Sequence, residues 1–189
     1  MQVNETKIPD CYEISLNVFK DQRGRFVKTF HQDLFRSHQL ETDFAEAYYS
    51  ISQQNVLRGL HFQRPPKDHT KIVHCAQGEI IDAVVDLRVG SPTYGQVETF
   101  HLSDEKGNLA YIPSGLAHGF YIVSETAIVM YQVSTLYASE HEGGIRWDSA
   151  DIPWPSSNPI VSEKDKGWQS LSEFVSPFTY NPAKPSLVS

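Results

Sequence analysis

Gly107-Asn108-Leu109-Ala110-Tyr111-Ile112-Pro113-Ser114-Gly115-Leu116-Ala117-His118 is the stretch on which the reading of this chain turns. Gly107 and Asn108 supply the backbone angles a turn needs, Leu109 to Ile112 is an apolar run of strand length, and Pro113-Ser114-Gly115 turns the chain again. Such a unit aims His118 into the mouth of a β-sandwich, where folds of this kind keep their ligands. The pattern repeats on either side. From Ile8 to Val133, β-branched and aromatic runs such as Ile72 to Ala76, Ile80 to Leu87, Gln96 to Leu102 and Ala127 to Val133 alternate with turn signals at Gln77-Gly78, Val89-Gly90-Ser91-Pro92 and Asp104 to Asn108. This predicts many antiparallel strands closed into a sandwich or barrel.

Helix is sparse. Asp33 to Leu40 is the one clear helical segment of the first half, with Asp33 at its start and Leu34, Phe35 and Leu40 as its apolar positions. After Asp148 the chain is rich in Pro, Ser and Asn. Ser162-Glu163-Lys164-Asp165 reads as a capped turn before a small helix around Trp168 to Phe174, and the tail after Pro177 is expected to wrap the surface or fray. A chain of 189 residues can bury roughly two-thirds of its unfolded surface in one domain. With 40% hydrophobic and 21% charged residues it is far from the composition of a disordered chain. The formal charge of −7 argues against nucleic acid or an anionic membrane as the main partner. No run approaches the ~18 apolar residues of a membrane span. Cys11 and Cys75, in a chain without an N-terminal apolar leader, read as reduced thiols of a cytoplasmic protein, and Cys75 as a small buried hydrophobe in a strand.

The spacing in 107–118, a glycine, five residues, Pro-x-Gly, two residues and His, is that of the second cupin motif. The first cupin motif would offer His-x-His and a later acid as metal ligands, whereas the chain has Arg58-Gly59-Leu60-His61-Phe62-Gln63 followed by Lys71. His61 and His118 are too few ligands for a transition metal, and a lysine beside them opposes a cation. The expected site is metal-free. An isolated histidine in a chain with eight is otherwise a satisfied core or turn residue.

Four segments in order resemble the dTDP-4-dehydrorhamnose 3,5-epimerase family. They are Asp21-Gln22-Arg23-Gly24-Arg25-Phe26, Asn55 to Gln63, Asp86-Leu87-Arg88-Val89-Gly90-Ser91-Pro92-Thr93-Tyr94-Gly95, and Ile112 to Phe120. The resemblance covers nearly the whole chain. It implies an all-β, cupin-like jelly-roll sandwich with a few short peripheral helices, one domain over 1–189 with its core at about 8–155 and a C-terminal extension, 156–189, packed on it. It also implies a homodimer that shares strands, no required metal or cofactor, and a nucleotide-linked 4-keto-6-deoxyhexose as substrate in deoxysugar or polysaccharide assembly.

A hydrogen beside a ketone is acidic only if the enolate is stabilised as the proton leaves, so a base and an oxyanion partner are both required. By resemblance His61 is the base, Asp165 the acid that orients it, Lys71 the cation beside the ketone, and Tyr137 the acid that returns a proton to the opposite face. Tyr131, six positions earlier, competes for that last role. Outside the resemblance, Asp165 would read as a helix cap, Lys71 as a strand-edge lysine and Tyr137 as a core aromatic. Arg23 and Arg58 are candidates for the diphosphate, since a guanidinium suits paired oxygens. Phe26, Lys28, Glu46, Tyr48, His118 and Tyr131 complete the expected substrate site.

The chain departs from the family pattern at three places. Asp-x-Arg-Gly-x-Phe-x-Glu ends in Lys28, Gln-x-Asn-x-Ser becomes Glu46-Ala47-Tyr48-Tyr49-Ser50, and Tyr-Lys becomes Tyr131-Gln132. Lys28 and Glu46 carry the charges of an exchanged ion pair. The departures leave the proton-transfer set intact and bear on the nucleotide and on whether carbon 3, carbon 5 or both are inverted. The competing readings are a single-carbon epimerase on a CDP-, GDP- or dTDP-linked sugar, a 3,4-ketoisomerase, a non-catalytic sugar-binding cupin and a metal-dependent oxygenase.

Overall fold

Along Thr126–Val133 burial alternates with the pleat: Ala127, Val129, Tyr131 and Val133 point inward, while Thr126 and Met130 face out. The computed structural model describes residues 1–182. In chain order its elements are β1 (Gln2–Glu5), β2 (Tyr12–Ser15), β3 (Val18–Asp21), β4 (Gly24–Val27), α1 (Gln32–Ser37), β5 (Glu46–Gln53), β6 (Leu57–Gln63) and β7 (Lys71–Gln77). They continue with β8 (Glu79–Asp86), β9 (Val97–Ser103), β10 (Asn108–Ile112), β11 (Leu116–Ile122), β12 (Thr126–Val133), β13 (Glu142–Gly144) and α2 (Glu163–Lys166).

The strands form two facing sheets, one ordered β1-β2-β10-β7-β12-β5 and the other β13-β6-β11-β8-β9, with β3 and β4 as a separate hairpin. This is the predicted jelly-roll sandwich. Val73, Val84, Phe100, Leu102, Ile112, Phe120 and Val129 fill the space between the sheets. The strand β11 is buried on both faces, because the chain after β13 returns across the outside of its sheet. Ile145, Ile152, Phe174 and Phe178 from that segment pack on Leu60, Ala83, Val85 and Ala117. The extension therefore belongs to the core rather than trailing from it.

Two local expectations need correction. α1 starts at Gln32, and Leu34 lies on the surface while Phe35 and Leu40 are buried. Trp168–Phe174 is no helix. Gly167 ends α2 after one turn, and a 3-10 turn at Leu171–Glu173, boxed by Ser170 and Glu173, follows. The tail wraps as far as it is described: Phe178 is buried, and Tyr180 donates its N–H to the Val89 carbonyl at 2.9 Å. Residues 183–189 lie outside the described residues. Cys11 and Cys75 are both buried free thiols. Among the described residues no helix is long and apolar enough to cross a membrane.

Candidate active site

The glycine in Arg58-Gly59-Leu60-His61 allows β6 to approach β11 closely: its φ is +133°, and a Cβ there would lie 2.5 Å from the Gly119 Cα. Antiparallel pairing then sets His61 directly opposite His118, so the histidines of the two sequence motifs meet on one sheet. His118 and Asp82 of β8 are bonded Nε2 to Oδ2 at 2.7 Å, both buried. Burial drives each toward its neutral form, raising the Asp82 pKa and lowering that of His118.

His61 is held from outside its sheet. Ser162 caps α2 by accepting the Asp165 N–H at 3.1 Å, and the Asp165 carboxylate reaches His61 Nε2 at 2.6 Å and the Gly59 N–H at 3.3 Å. Burial raises the Asp165 pKa, but the bonds from His61, Gly59 and Ser162 prevail and hold it below the usual carboxylate range. An ionised Asp165 only accepts, so His61 donates Nε2–H to it and Nδ1 keeps the lone pair a base needs.

The facing wall comes from the other sheet. Lys71 at the start of β7 is buried, and its Nζ donates to the His61 carbonyl at 3.4 Å. Burial lowers its pKa to about 8, against the upward pull of Asp82 and Glu142. Tyr131 on β12 is 9% exposed, and its pKa is raised by burial. Tyr48 and Ser50 of β5, Arg58 and Phe120 complete a cleft of about 730 Å³ that also holds His61, Lys71, His118, Tyr137 and Asp165. Arg58 donates Nε–H to Ser52 Oγ at 2.9 Å and lines the cleft as an exposed side chain.

Tyr137 is at the rim, 59% exposed, with its hydroxyl donating to Glu142 Oε2 at 2.9 Å. That hydrogen bond raises its pKa. Glu46 is also at the rim, accepting the Tyr137 N–H at 3.2 Å. Arg23, Phe26 and Lys28 do not line the cleft. They sit on or beside the β3–β4 hairpin, whose strands among the described residues pair only with each other, and Arg23 is held by Asp21. Among the described residues no Lys28–Glu46 ion pair forms; Glu46 instead accepts the Tyr137 N–H. Gln132 is next to Tyr131 on a strand, so it faces away from the cleft.

Three residues of the site were not anticipated. Asp82 is a lone acid within the apolar run Ile80 to Val85, a signal that was legible. Glu142 faces the cleft because it pairs with Gln63, two positions from His61, and it bonds both Tyr137 and Lys164. His69 also lines the cleft, with its pKa lowered to about 3 by burial and by Lys71 and His118. Neither Glu142 nor His69 stands in a recognisable pattern. Among the described residues no three His, Cys, Asp or Glu side chains are grouped as metal ligands would be. Another hollow, about 640 Å³, lies beside Arg88 and Tyr180 and contains none of the proton-transfer residues.

A jelly roll whose cleft sets an oriented histidine on one sheet against a lysine and a protonated tyrosine on the other has the parts of an acid–base isomerase. A family model described as dTDP-4-dehydrorhamnose 3,5-epimerase matches residues 5–173. The chain belongs to that family, and it is an epimerase of nucleotide-linked 4-keto-6-deoxy sugars. It is 42% identical to the dTDP-4-dehydrorhamnose 3,5-epimerase of Methanothermobacter thermautotrophicus over 89% of this chain and 94% of that protein. The fold is similar to that of the 3,5-epimerase of Legionella pneumophila in complex with dTDP-4-keto-L-rhamnose, with a TM-score of 0.90, 33% identity, and coverage of 95% and 99% of the two chains. It is also similar to a 3′-monoepimerase of Streptomyces bikiniensis in complex with dTDP, a double mutant with one histidine and one tyrosine replaced; there the TM-score is 0.84, the identity 25% and the coverage 89% and 87%.

Proposed function

We propose that the chain epimerises carbon 3 and carbon 5 of dTDP-4-dehydro-6-deoxyglucose without a metal or organic cofactor. His61 Nδ1 takes the proton from the carbon beside the ketone, the C–H electron pair moves into the ring, and the ketone oxygen becomes an enolate. The Lys71 ammonium stabilises that oxygen more than the neutral ketone, which lowers the barrier. A tyrosine hydroxyl then protonates the other face of the carbon. Arg58 binds the diphosphate at the opening.

The observation that carries this reading is that a histidine and a tyrosine face each other from different sheets across one cleft, the arrangement that inversion requires of a base and an acid. His61 is on β6 and Tyr131 on β12, in opposite walls of the cleft. Sequence context points to Tyr137 as the acid, but that hydroxyl is tied to Glu142, on the sheet that carries His61. Burial inside the cleft favours Tyr131. In the Streptomyces double mutant the replaced histidine and tyrosine lie seventy residues apart, as His61 and Tyr131 do. Tyr137 then closes the mouth of the cleft.

The functional unit is a cytoplasmic homodimer in which the hairpin of each copy, with Arg23, Phe26 and Lys28, reaches the other copy's cleft. Exposed Phe19 and Phe26 on the hairpin, with Tyr49 and Ile51 on the outer face of the edge strand β5, support this. Sedimentation of the purified protein as a monomer would refute it. The activity is tested by deuterium uptake from solvent into dTDP-, CDP- and GDP-linked 4-keto-6-deoxyhexoses, read by carbon position. Label at carbon 3 and carbon 5 of the dTDP sugar, with that substrate preferred, is the expected result. Preference for another nucleotide, or label at one carbon only, overturns the corresponding part.

A further inference from the structure

At position 48 the family pattern has asparagine and this chain has tyrosine. Tyr48 on β5 is directly opposite Tyr131 on β12, and the two rings stack with centroids 4.7 Å apart and planes 20° from parallel. Phe120, from the other sheet, lies 6.2 Å from the Tyr131 ring. The Tyr131 hydroxyl is 3.3 Å from Ser50 Oγ, two residues along β5 from Tyr48 and therefore on the same face. The ring of Tyr131 is thus held by packing partners and at its tip. Two of these three contacts come from β5, which is the edge of its sheet.

We propose that Tyr48 is a positioning residue whose ring clamps Tyr131 against the cleft wall, so that the hydroxyl meets the carbanion on the face opposite His61. The inference rests on the reading of Tyr131 as the acid. Its physical basis is a competition. Once His61 holds the proton, the carbanion can be reprotonated by the imidazolium on the original face or by the tyrosine on the other face. Only the second event inverts the carbon. A displaced hydroxyl loses that competition steeply, since proton transfer depends on contact distance and alignment. Asparagine has no ring with which to stack. In this chain the edge strand itself supplies the aromatic partner.

The test measures deuterium entry and inversion together on dTDP-4-dehydro-6-deoxyglucose in deuterated buffer, for wild type, Tyr48→Ala, Tyr48→Asn, Tyr48→Phe and Tyr131→Phe. In Tyr48→Ala and Tyr48→Asn the ratio of inversion to exchange should fall about tenfold. Tyr48→Phe keeps the stack and should recover the ratio. A merely structural role would lower exchange and inversion together, and that result overturns the proposal. It is equally overturned if Tyr131→Phe loses inversion while Tyr48→Ala and Tyr48→Asn keep the wild-type ratio. If Tyr131→Phe itself keeps inverting, the acid lies elsewhere, and the role of Tyr48 falls with it.

Discussion

On the five-stranded wall each histidine is tied to a carboxylate, His61 to Asp165 at 2.6 Å and His118 to Asp82 at 2.7 Å, whereas on the six-stranded wall Lys71 and Tyr131 are confined chiefly by packing. On the proposed roles, the difference follows from what each wall has to do. A base has to present one nitrogen with a lone pair, and an ionic hydrogen bond fixes both the tautomer and the direction of the ring. An enolate-binding cation and a proton donor have to keep donors free for the substrate. Burial and packing hold them in place with one long hydrogen bond each, Lys71 to the His61 carbonyl at 3.4 Å and the Tyr131 hydroxyl with Ser50 at 3.3 Å, and burial sets their proton affinities as well.

The comparison breaks most severely at His61. His61→Ala should lower deuterium exchange by roughly 10²–10⁴-fold while nucleotide binding is largely kept, because the base is deleted but no proposed phosphate contact is. Exchange at the wild-type rate would place the base elsewhere. Tyr131→Phe comes next: it should still admit label but lose inversion by about a hundredfold, whereas Tyr137→Phe should lower both modestly. The opposite pattern in the two variants would move the acid to Tyr137.

Asp165→Asn should be milder, about tenfold, since it disturbs the orientation and charge of His61 without deleting it. A wild-type rate would reduce Asp165 to a helix residue. The packed wall should show itself in the pH profile. Lys71 loses its proton at about pH 8 in the folded chain, below the usual lysine value, so activity that needs the ammonium should fall as pH rises through about 8. The sign for stability is opposite. The cost of burying the charged lysine is fully present below pH 8 and is relieved as pH rises toward 10.5, where the unfolded chain also loses the proton. A profile flat from pH 7 to about 10 would show that no buried ammonium takes part. The smallest effect is at Ser162→Ala, which removes the cap of α2 and should cost about 1 kcal/mol, read as a lower melting temperature.

The strands around 107–118 were legible because turn residues bracket apolar runs, and β10 and β11 fall where that stretch places them. His61, Lys71, His118, Tyr131 and Asp165 are gathered in one cleft although up to 104 positions separate those that touch. Their roles came from motif resemblance, since nothing in local pattern tells a base from a core histidine. The capped turn at Ser162 to Asp165 predicts a helix around Trp168 to Phe174, but Gly167 and Ser170 divide the segment and leave a 3-10 turn at Leu171–Glu173. Glu142 could not be found from sequence, because its place in the cleft depends on the register of β13 against β6.

The position of Asp165 on α2 has a consequence for the order in which the protein becomes competent. A chain emerging from its N-terminus has every strand of both sheets once Gly144 is out, and His61 is already in its wall. The carboxylate that orients it follows roughly twenty residues later, after the segment that seals the outer face of β11. The segment after Gly144 therefore both closes the core and brings the carboxylate to His61. A chain ending near Pro159 would keep the strands of both sheets but lack Val161, Asp165 and Phe174, so a wall of the cleft, the carboxylate bonded to His61 and part of the seal over β11 would be missing together.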